Sequence, residues 1–473
     1  MEKASVLFKR IMLVILLAVM GLTLLCVVRE GLHSRSYLLA LVCGGVLALC
    51  LGLLLRRPFP VPRRAGLWAA LLCFGLNLVW VLLVRIEPFS DYAEYWDVAC
   101  ALAARAEIPD AWYVAMYPHI LGTATFLSGL VRVFGPSVLA VTILNTILTS
   151  LSCLLLWLLA RELIGEEAAF LAALLWAVTP CKLMLGSLVF SEPLYTLLIL
   201  LFLLLVARLD KKWRADGKNP LSALLWGLLL GIVLLAINII RPIAAILLIA
   251  LFLWLLLLRG DDLKSGRLWT RWGLALLALL CIYSFGGRLW TAHVESVLGQ
   301  EVASVPWYNI YVGLNGETDG RYTDEDMDLL TSYLKQGQSA DEAQRSMIPH
   351  IRARLAAGIN YPRLLAAKLL AFLGNDELGG YTYRFTRPEG FVKLCMVICN
   401  IFYYGVFLAG IRGLWLELCR RELSAGLLLP LFFLGLTLAH MLVEVANRYH
   451  YSLIPILLIF AASGFIGEKR SKT

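Results

Sequence analysis

Two carboxylates stand beside the ends of apolar runs. They are Asp91 in Pro88-Phe89-Ser90-Asp91-Tyr92-Ala93-Glu94-Tyr95 and Glu192 in Ser191-Glu192-Pro193. Two arginines do the same, Arg241 in Arg241-Pro242 and Arg448 in Asn447-Arg448-Tyr449-His450-Tyr451, and Lys182 and His119 add an amine and an imidazole. Ionisable groups near a bilayer are costly, so each calls for a partner or a task. Carboxylates and guanidinium groups beside lipid suit a reaction at a lipid-linked phosphate, with the carboxylate as base and the guanidinium as anion clamp. Each residue also has a plainer role. Asp91 can cap a short helix, Glu192 can complement a helix dipole, and both arginines can snorkel to headgroups.

These residues must be positioned by membrane helices. The chain has 473 residues, 60% hydrophobic and 16% charged, against roughly 25% charged in a soluble domain. That excludes a soluble enzyme, a disordered regulator and a disulfide-stapled secreted module. The 11 cysteines lie mostly in apolar runs, where a thiol acts as a small hydrophobe. A spanning helix needs about 20 apolar residues. Twelve runs approach this: Ile11–Val28, Tyr37–Leu55, Gly66–Val84, Val138–Ala160, Ala168–Leu185, Leu188–Ala207, Leu221–Ile237, Ile243–Leu258, Trp272–Phe285, Phe391–Ala409, Ser424–Leu442 and Ser452–Ile466. The fold class expected is therefore an all-α polytopic membrane protein with about twelve transmembrane helices.

A thirteenth run, Pro118–Phe134, is broken by Thr123, Thr125, Ser128 and Arg132. Leaving it out gathers Arg208, Lys211, Lys212, Arg214, Arg259, Lys264, Arg267 and Arg271, with Lys469, Arg470 and Lys472 of the tail, on the same side as Lys3, Lys9 and Arg10. The positive-inside rule makes that side the cytoplasm, and Pro118–Phe134 becomes an interfacial amphipathic helix on the outer face. Four regions follow: three N-terminal spans (1–84), a transmembrane core with the first outer loop (85–290), an outer loop region with short helices (291–390) and three C-terminal spans (391–473). Within the third, Ser339 with Glu342 and Thr323 with Asp326 have capping-box spacing, and Pro362–Gly374 reads as an amphipathic helix at the membrane surface. Asn315-Gly316-Glu317-Thr318-Asp319-Gly320 with Asp326 approximates a calcium loop but departs at positions 1, 3 and 12, which favours a glycine-rich turn. No phosphate-binding loop or dinucleotide fingerprint is present, so a sugar donor would be lipid-borne.

In order and spacing, several of these motifs resemble the GT-C class of integral-membrane glycosyltransferases, the protein O-mannosyltransferase and aminoarabinose transferase-like family. The matching features are Ser90-Asp91 with Tyr95, Tyr117-Pro118 opening the interfacial helix, Ser191-Glu192-Pro193-Leu194, Arg241-Pro242, Val312-Gly313-Leu314-Asn315 with Gly320, and Asn447-Arg448-Tyr449 with Pro455. The resemblance covers most of Pro88–Ile466, and the first two spans look like an addition. It implies a polyprenyl-phosphate sugar donor, of undecaprenyl or dolichyl type, and an acceptor that is a glycan, lipid or protein. Asp91 and Glu192 would be catalytic, and Arg448, Arg241 and Lys182 would hold the donor phosphate. Tyr95, Tyr117, His119 and Asn315 would contact substrate. No resident cofactor is required, although a divalent metal on Asp91, Glu94 and Glu192 is compatible with the sequence, and no nucleic acid is expected. The expected location is a bacterial plasma membrane, multi-pass, with both termini cytoplasmic and the site outside. The alternative is a transporter or flippase of lipid-linked sugars, suggested by the polar positions Asn77, Asn145, Asn238, His440 and Glu444. Against it, no internal repeat is visible.

Overall fold

A computed structural model describes residues 2–57, 59–215, 220–258 and 267–467. Among them the protein is helical, with no strand. The helices are α1 Glu2–His33, α2 Arg35–Leu54, α3 Ala65–Leu83, α4 Asp91–Ala104, α5 Ala111–Met116, α6 His119–Phe134 and α7 Val138–Ile164. Next come α8 Glu166–Val178, α9 Pro180–Leu185, α10 Glu192–Ala215, α11 Pro220–Ile240, α12 Ala244–Leu253 and α13 Arg267–Leu298. The chain continues through α14 Trp307–Gly313, α15 Asp324–Lys335, α16 Ala340–Ala356, α17 Tyr361–Leu373, α18 Leu378–Tyr381, α19 Glu389–Cys419, α20 Leu428–Leu442 and α21 Ile454–Ile466. Of the basic residues used to orient the chain, Arg259, Lys264, Lys469, Arg470 and Lys472 lie outside the described residues.

Among the described residues, ten helices are long and apolar enough to cross a membrane. The other two expected spans are helical but shorter. Ala168–Leu185 is broken between α8 and α9, because Pro180 has no N–H to continue the helix and Thr179, before it, is pushed out of the helical region. Ala244–Leu258 ends in a five-residue π-helical turn, Trp254–Leu258. At 1.5 Å per residue its length is about 22 Å, short of the roughly 30 Å hydrocarbon core. α6 is likewise about 24 Å long by the same rise, in keeping with an interfacial position. Conversely, α13 runs past the expected Phe285 to Leu298, and Trp290, Val294 and Val297 on its far end join a core with Tyr95, Val98, Ile120 and Leu121 of α4 and α6.

The packing that sets the site is close. Gly122 of α6 lies against α11 so tightly that a Cβ there would overlap the Ile239 carbonyl oxygen. In the same way Gly413 of α19 and Gly464 of α21 bring those backbones together, the small-residue packing that membrane helices use. Helices α14 to α16 form a small layer on α5, with Ala115, Met116, Tyr308, Val312, Leu330, Ala343 and Met347 as its core. The capping box at Ser339 and Glu342 is formed, and the Thr323 hydroxyl accepts from Asp326 N. α17 sits where a surface helix was expected. Its Lys368 is fully buried, however, and donates to the carbonyls of Gly313 and Val443, both at 2.8 Å.

Candidate active site

Five separate segments meet at one end of the bundle: the start of α4, the α5–α6 corner, the start of α10, the turn after α11 and the stretch 443–449 before the last span. Ser90 has φ of 49°, a left-handed conformation that costs a residue with a Cβ. It turns the chain into α4 and makes no side-chain cap. Asp91 does not cap the helix either. Its carboxylate forms an ion pair with Arg448. The Arg448 charge, opposed by burial, holds the Asp91 carboxyl below its usual range.

Aromatic rings surround the two guanidinium groups. Arg448 lies 5.6 Å from the Tyr92 ring and 5.4 Å from the Tyr449 ring, and Arg241 lies 4.9 Å from the same Tyr449 ring. All three distances are within cation–π range. Tyr449 stacks on His440 at 5.0 Å and donates to Glu444 at 3.4 Å. Glu192, 2% exposed at the first position of α10, accepts from Ser191 at 3.4 Å and is within electrostatic reach of Arg241 and Arg448. Two cations held this close favour an anion between them. Asp91 pairs with Arg448, and Glu192 is the carboxylate within electrostatic reach of Arg241.

His119 opens α6 beside Tyr117, with ring centroids 6.2 Å apart, and Tyr117 in turn meets Tyr113 at 4.9 Å. Burial, then the charges of Arg241 and Arg448, push the His119 imidazole down to about 3, so it is neutral near pH 7. Tyr95 is buried on α4, one turn beyond Asp91. Asp91, Tyr95, Tyr117, His119, Glu192, Arg241 and Arg448 are therefore neighbours.

Two of the expected residues are placed elsewhere. Lys182, on α9 beyond the break at Pro180, turns into the helix packing. Its ammonium is 3.5 Å from Cys73 Sγ and 3.3 Å from the Ala177 carbonyl, and it lies over the Trp176 ring. Asn315 closes its own loop, accepting from Glu317 N and donating to Asp326. Asp326 also receives Arg354 at 2.6 Å, so the twelfth position of the would-be calcium loop is already neutralised. Among the described residues no three His, Cys, Asp or Glu side chains are grouped to hold a metal. Asp91, the first residue of the metal set considered from sequence, is engaged by Arg448.

Glu444 is a site residue that the sequence presented only as an isolated polar position. Its backbone N–H donates to Asn309 O at 2.7 Å, and Val445 N donates to Gly320 O at 3.0 Å, so the 443–447 stretch is laced to α14 and the loop that follows it. Burial raises the Glu444 carboxyl pKa against the opposing pull of Arg448. Its four-residue spacing to Arg448 was the available signal. Beyond Glu444 a cavity of about 970 Å³ opens, walled by the end of α1, the start of α2, α17 and residues 444–447.

Residues 118–285 match the family model described as dolichyl-phosphate-mannose-protein mannosyltransferase. That segment contains His119, Glu192 and Arg241 but begins after Asp91 and ends before Arg448. No curated protein matches the chain. Among solved structures it is similar to the archaeal oligosaccharyltransferase AglB from Archaeoglobus fulgidus, in complex with an inhibitory peptide and a dolichol-phosphate. The TM-score is 0.41 and the identity 14%, over 84% of this chain and 50% of that one. ArnT from Cupriavidus metallidurans bound to undecaprenyl phosphate gives 0.36 and 12%, over 85% and 77%. The chain thus spans about half the length of the AglB chain. What the comparisons show of family is therefore confined to the central segment, 118–285, which matches the dolichyl-phosphate-mannose-protein mannosyltransferase family.

Proposed function

We propose that the protein transfers a sugar from a polyprenyl monophosphate to an acceptor hydroxyl, at the outer surface of the membrane and with inversion at the anomeric carbon. The observation that carries this reading is the Asp91–Arg448 ion pair with Arg241 beside the same Tyr449 ring. A donor phosphate entering between the two guanidinium groups competes with Asp91 for Arg448. Bidentate guanidinium–phosphate pairing is strong enough to take part of that contact. Asp91, relieved of its counter-charge, then accepts the proton of the acceptor hydroxyl.

The acceptor oxygen forms its bond to the anomeric carbon from the face opposite the phosphate. The carbon–oxygen bond to phosphate breaks, and its electron pair leaves on the phosphate, whose added charge Arg448 and Arg241 stabilise. Glu192 holds the Arg241 side of the cluster, and neutral His119 with Tyr95 and Tyr117 offers hydrogen bonds to sugar hydroxyls. Lys182 and Asn315 take no part. Holding donor and acceptor together contributes as much as proton transfer, since positioning alone lowers a barrier by roughly 7–11 kcal/mol.

The test is transfer from a radiolabelled polyprenyl-phosphate sugar by the detergent-solubilised protein. A labelled glycoconjugate that disappears in Asp91→Asn supports the reading. A transporter or flippase gives no new glycoconjugate, and wild-type turnover by Asp91→Asn removes Asp91 from the chemistry.

A further inference from the structure

We propose that the cavity beyond Glu444 is the acceptor compartment and that the acceptor it takes is a saccharide. This rests on the transfer reading above and adds the acceptor class. The cavity shares a wall with the catalytic cluster, because Glu444 and Asn447 line it and Arg448 follows directly. Tyr322, also in its lining, is within electrostatic reach of Asp91 and Glu444.

The lining decides the chemistry. Arg29, Arg321 and Arg363 face the cavity together with Glu30 and Asp319, yet among the described residues none of the five is ion-paired. Both signs of hydrogen-bonding capacity are therefore open at once. A purely anionic ligand would leave the carboxylates facing it, and a cationic one would leave the guanidinium groups. A ligand whose groups donate and accept, as adjacent sugar hydroxyls do, satisfies both. Asn447 and Asn375 add amide groups to the lining, joined by the Asn447 amide nitrogen donating to the Asn375 carbonyl. Tyr37, Tyr322 and Tyr381 add aromatic surface. At about 970 Å³ the volume lies at the upper end of the roughly 300–1,000 Å³ usual for small-ligand sites, which suits several sugar units more than one.

Arg29, Glu30 and Tyr37 come from α1 and α2, outside the stretch that resembles the transferase class. The chain thus adds a wall of its own beside the shared machinery.

Saturation-transfer NMR on the full chain in phosphatidylcholine nanodiscs tests this. The probes are maltotriose, chitotriose and mannotriose, a Ser/Thr-containing hexapeptide and glucose 1-phosphate. At least one neutral trisaccharide should receive saturation, reduced fivefold or more in Arg29→Gln/Arg321→Gln/Arg363→Gln and retained in Asp91→Asn. Saturation of the peptide or the sugar phosphate alone, no signal from any trisaccharide, or no change in the triple variant would overturn it. Loss of transfer in Asp91→Asn without trisaccharide binding removes only the compartment. Trisaccharide binding with full transfer in Asp91→Asn removes only the catalytic assignment.

Discussion

Asp91 and Arg448 stand 357 positions apart in the chain and face each other as an ion pair at one end of the helix bundle. Arg448 also lies over the Tyr92 and Tyr449 rings, so in the proposed reaction the pair links donor binding to proton transfer. Asp91→Asn should lower transfer by about 10²-fold or more, in line with the loss of a general base. Helix content by circular dichroism should be unchanged.

The pair itself is measurable. Arg448→Lys keeps a charge but loses the planar fork, and lysine does not replace arginine at a phosphate or against tyrosine rings. Transfer should fall at least tenfold. In a double-mutant cycle for stability, Asp91→Asn and Arg448→Gln should couple by about 0.5–3 kcal/mol. Additive effects would show that the two side chains act separately.

The pH dependence follows from the direction of the Asp91 shift. Arg448 depresses the carboxyl below its usual 3.8, so the stabilisation from ionised Asp91 is complete above the unfolded value of about 3.9 and is lost as pH falls through the lower folded value. At pH 5–8 it is constant. When phosphate draws Arg448 away, the Asp91 value rises. The acid limb of kcat, which reports the donor complex, should therefore lie at higher pH than that of kcat/KM, which reports the free protein. Coincident limbs would show that the donor leaves the ion pair intact.

Lys368 offers a second pH handle. Burial lowers its pKa from 10.5 to about 8. Between pH 8 and about 10.4 the unfolded chain binds more protons than the folded one, so stability from this group rises with pH across that window. The melting temperature of the wild type should gain on that of Lys368→Met from pH 8 to 10. At neutral pH Lys368→Met should still lower transfer, because the carbonyls of Gly313 and Val443 lose their shared donor and each unsatisfied group costs about 1–3 kcal/mol.

In the layer of α14 to α16, Asp326→Asn should destabilise α15 and α16 by about 1–3 kcal/mol, since it removes the charge opposite the part-buried Arg354, which keeps its bond to the Tyr311 carbonyl. Hydrogen exchange over 315–356 would register it. Calcium or its chelation should leave exchange there unchanged in the wild type. Protection by calcium would restore the cation-loop reading.

Much of the site was legible because membrane chemistry makes charge conspicuous. Asp91, Glu192, Arg241 and Arg448 stand out near the ends of apolar runs, and the period and length of those runs yield most of the helices. Lys182 was misplaced because Ala168–Leu185 reads as one straight span, whereas Pro180 starts a new short helix that turns the ammonium toward Cys73. Asn315 looked available because a glycine-rich loop does not display its internal hydrogen bonds. Glu444 and Lys368 were missed for a different reason. The Lys368 ammonium and the Glu444 N–H are held by backbone carbonyls of remote segments, and only close packing such as that of Gly122 on Ile239 or Gly413 on Phe460 decides which segments meet.

At the opposite end of α1 from Arg29, Lys9 is fully buried, with its ammonium 2.7 Å from Glu417 and bonded to the carbonyls of Arg420 and Glu422. The first helix is thereby clamped to the C-terminal end of α19, while Gly44 of α2 lies 2.7 Å, measured from where a Cβ would stand, from the Ile401 carbonyl oxygen. The added hairpin is a pillar of the bundle and not an appendage. Removing α1 and α2 would leave Glu417 with Arg420 alone, bare one flank of α19 and take away the wall of the cavity that holds Arg29, Glu30 and Tyr37.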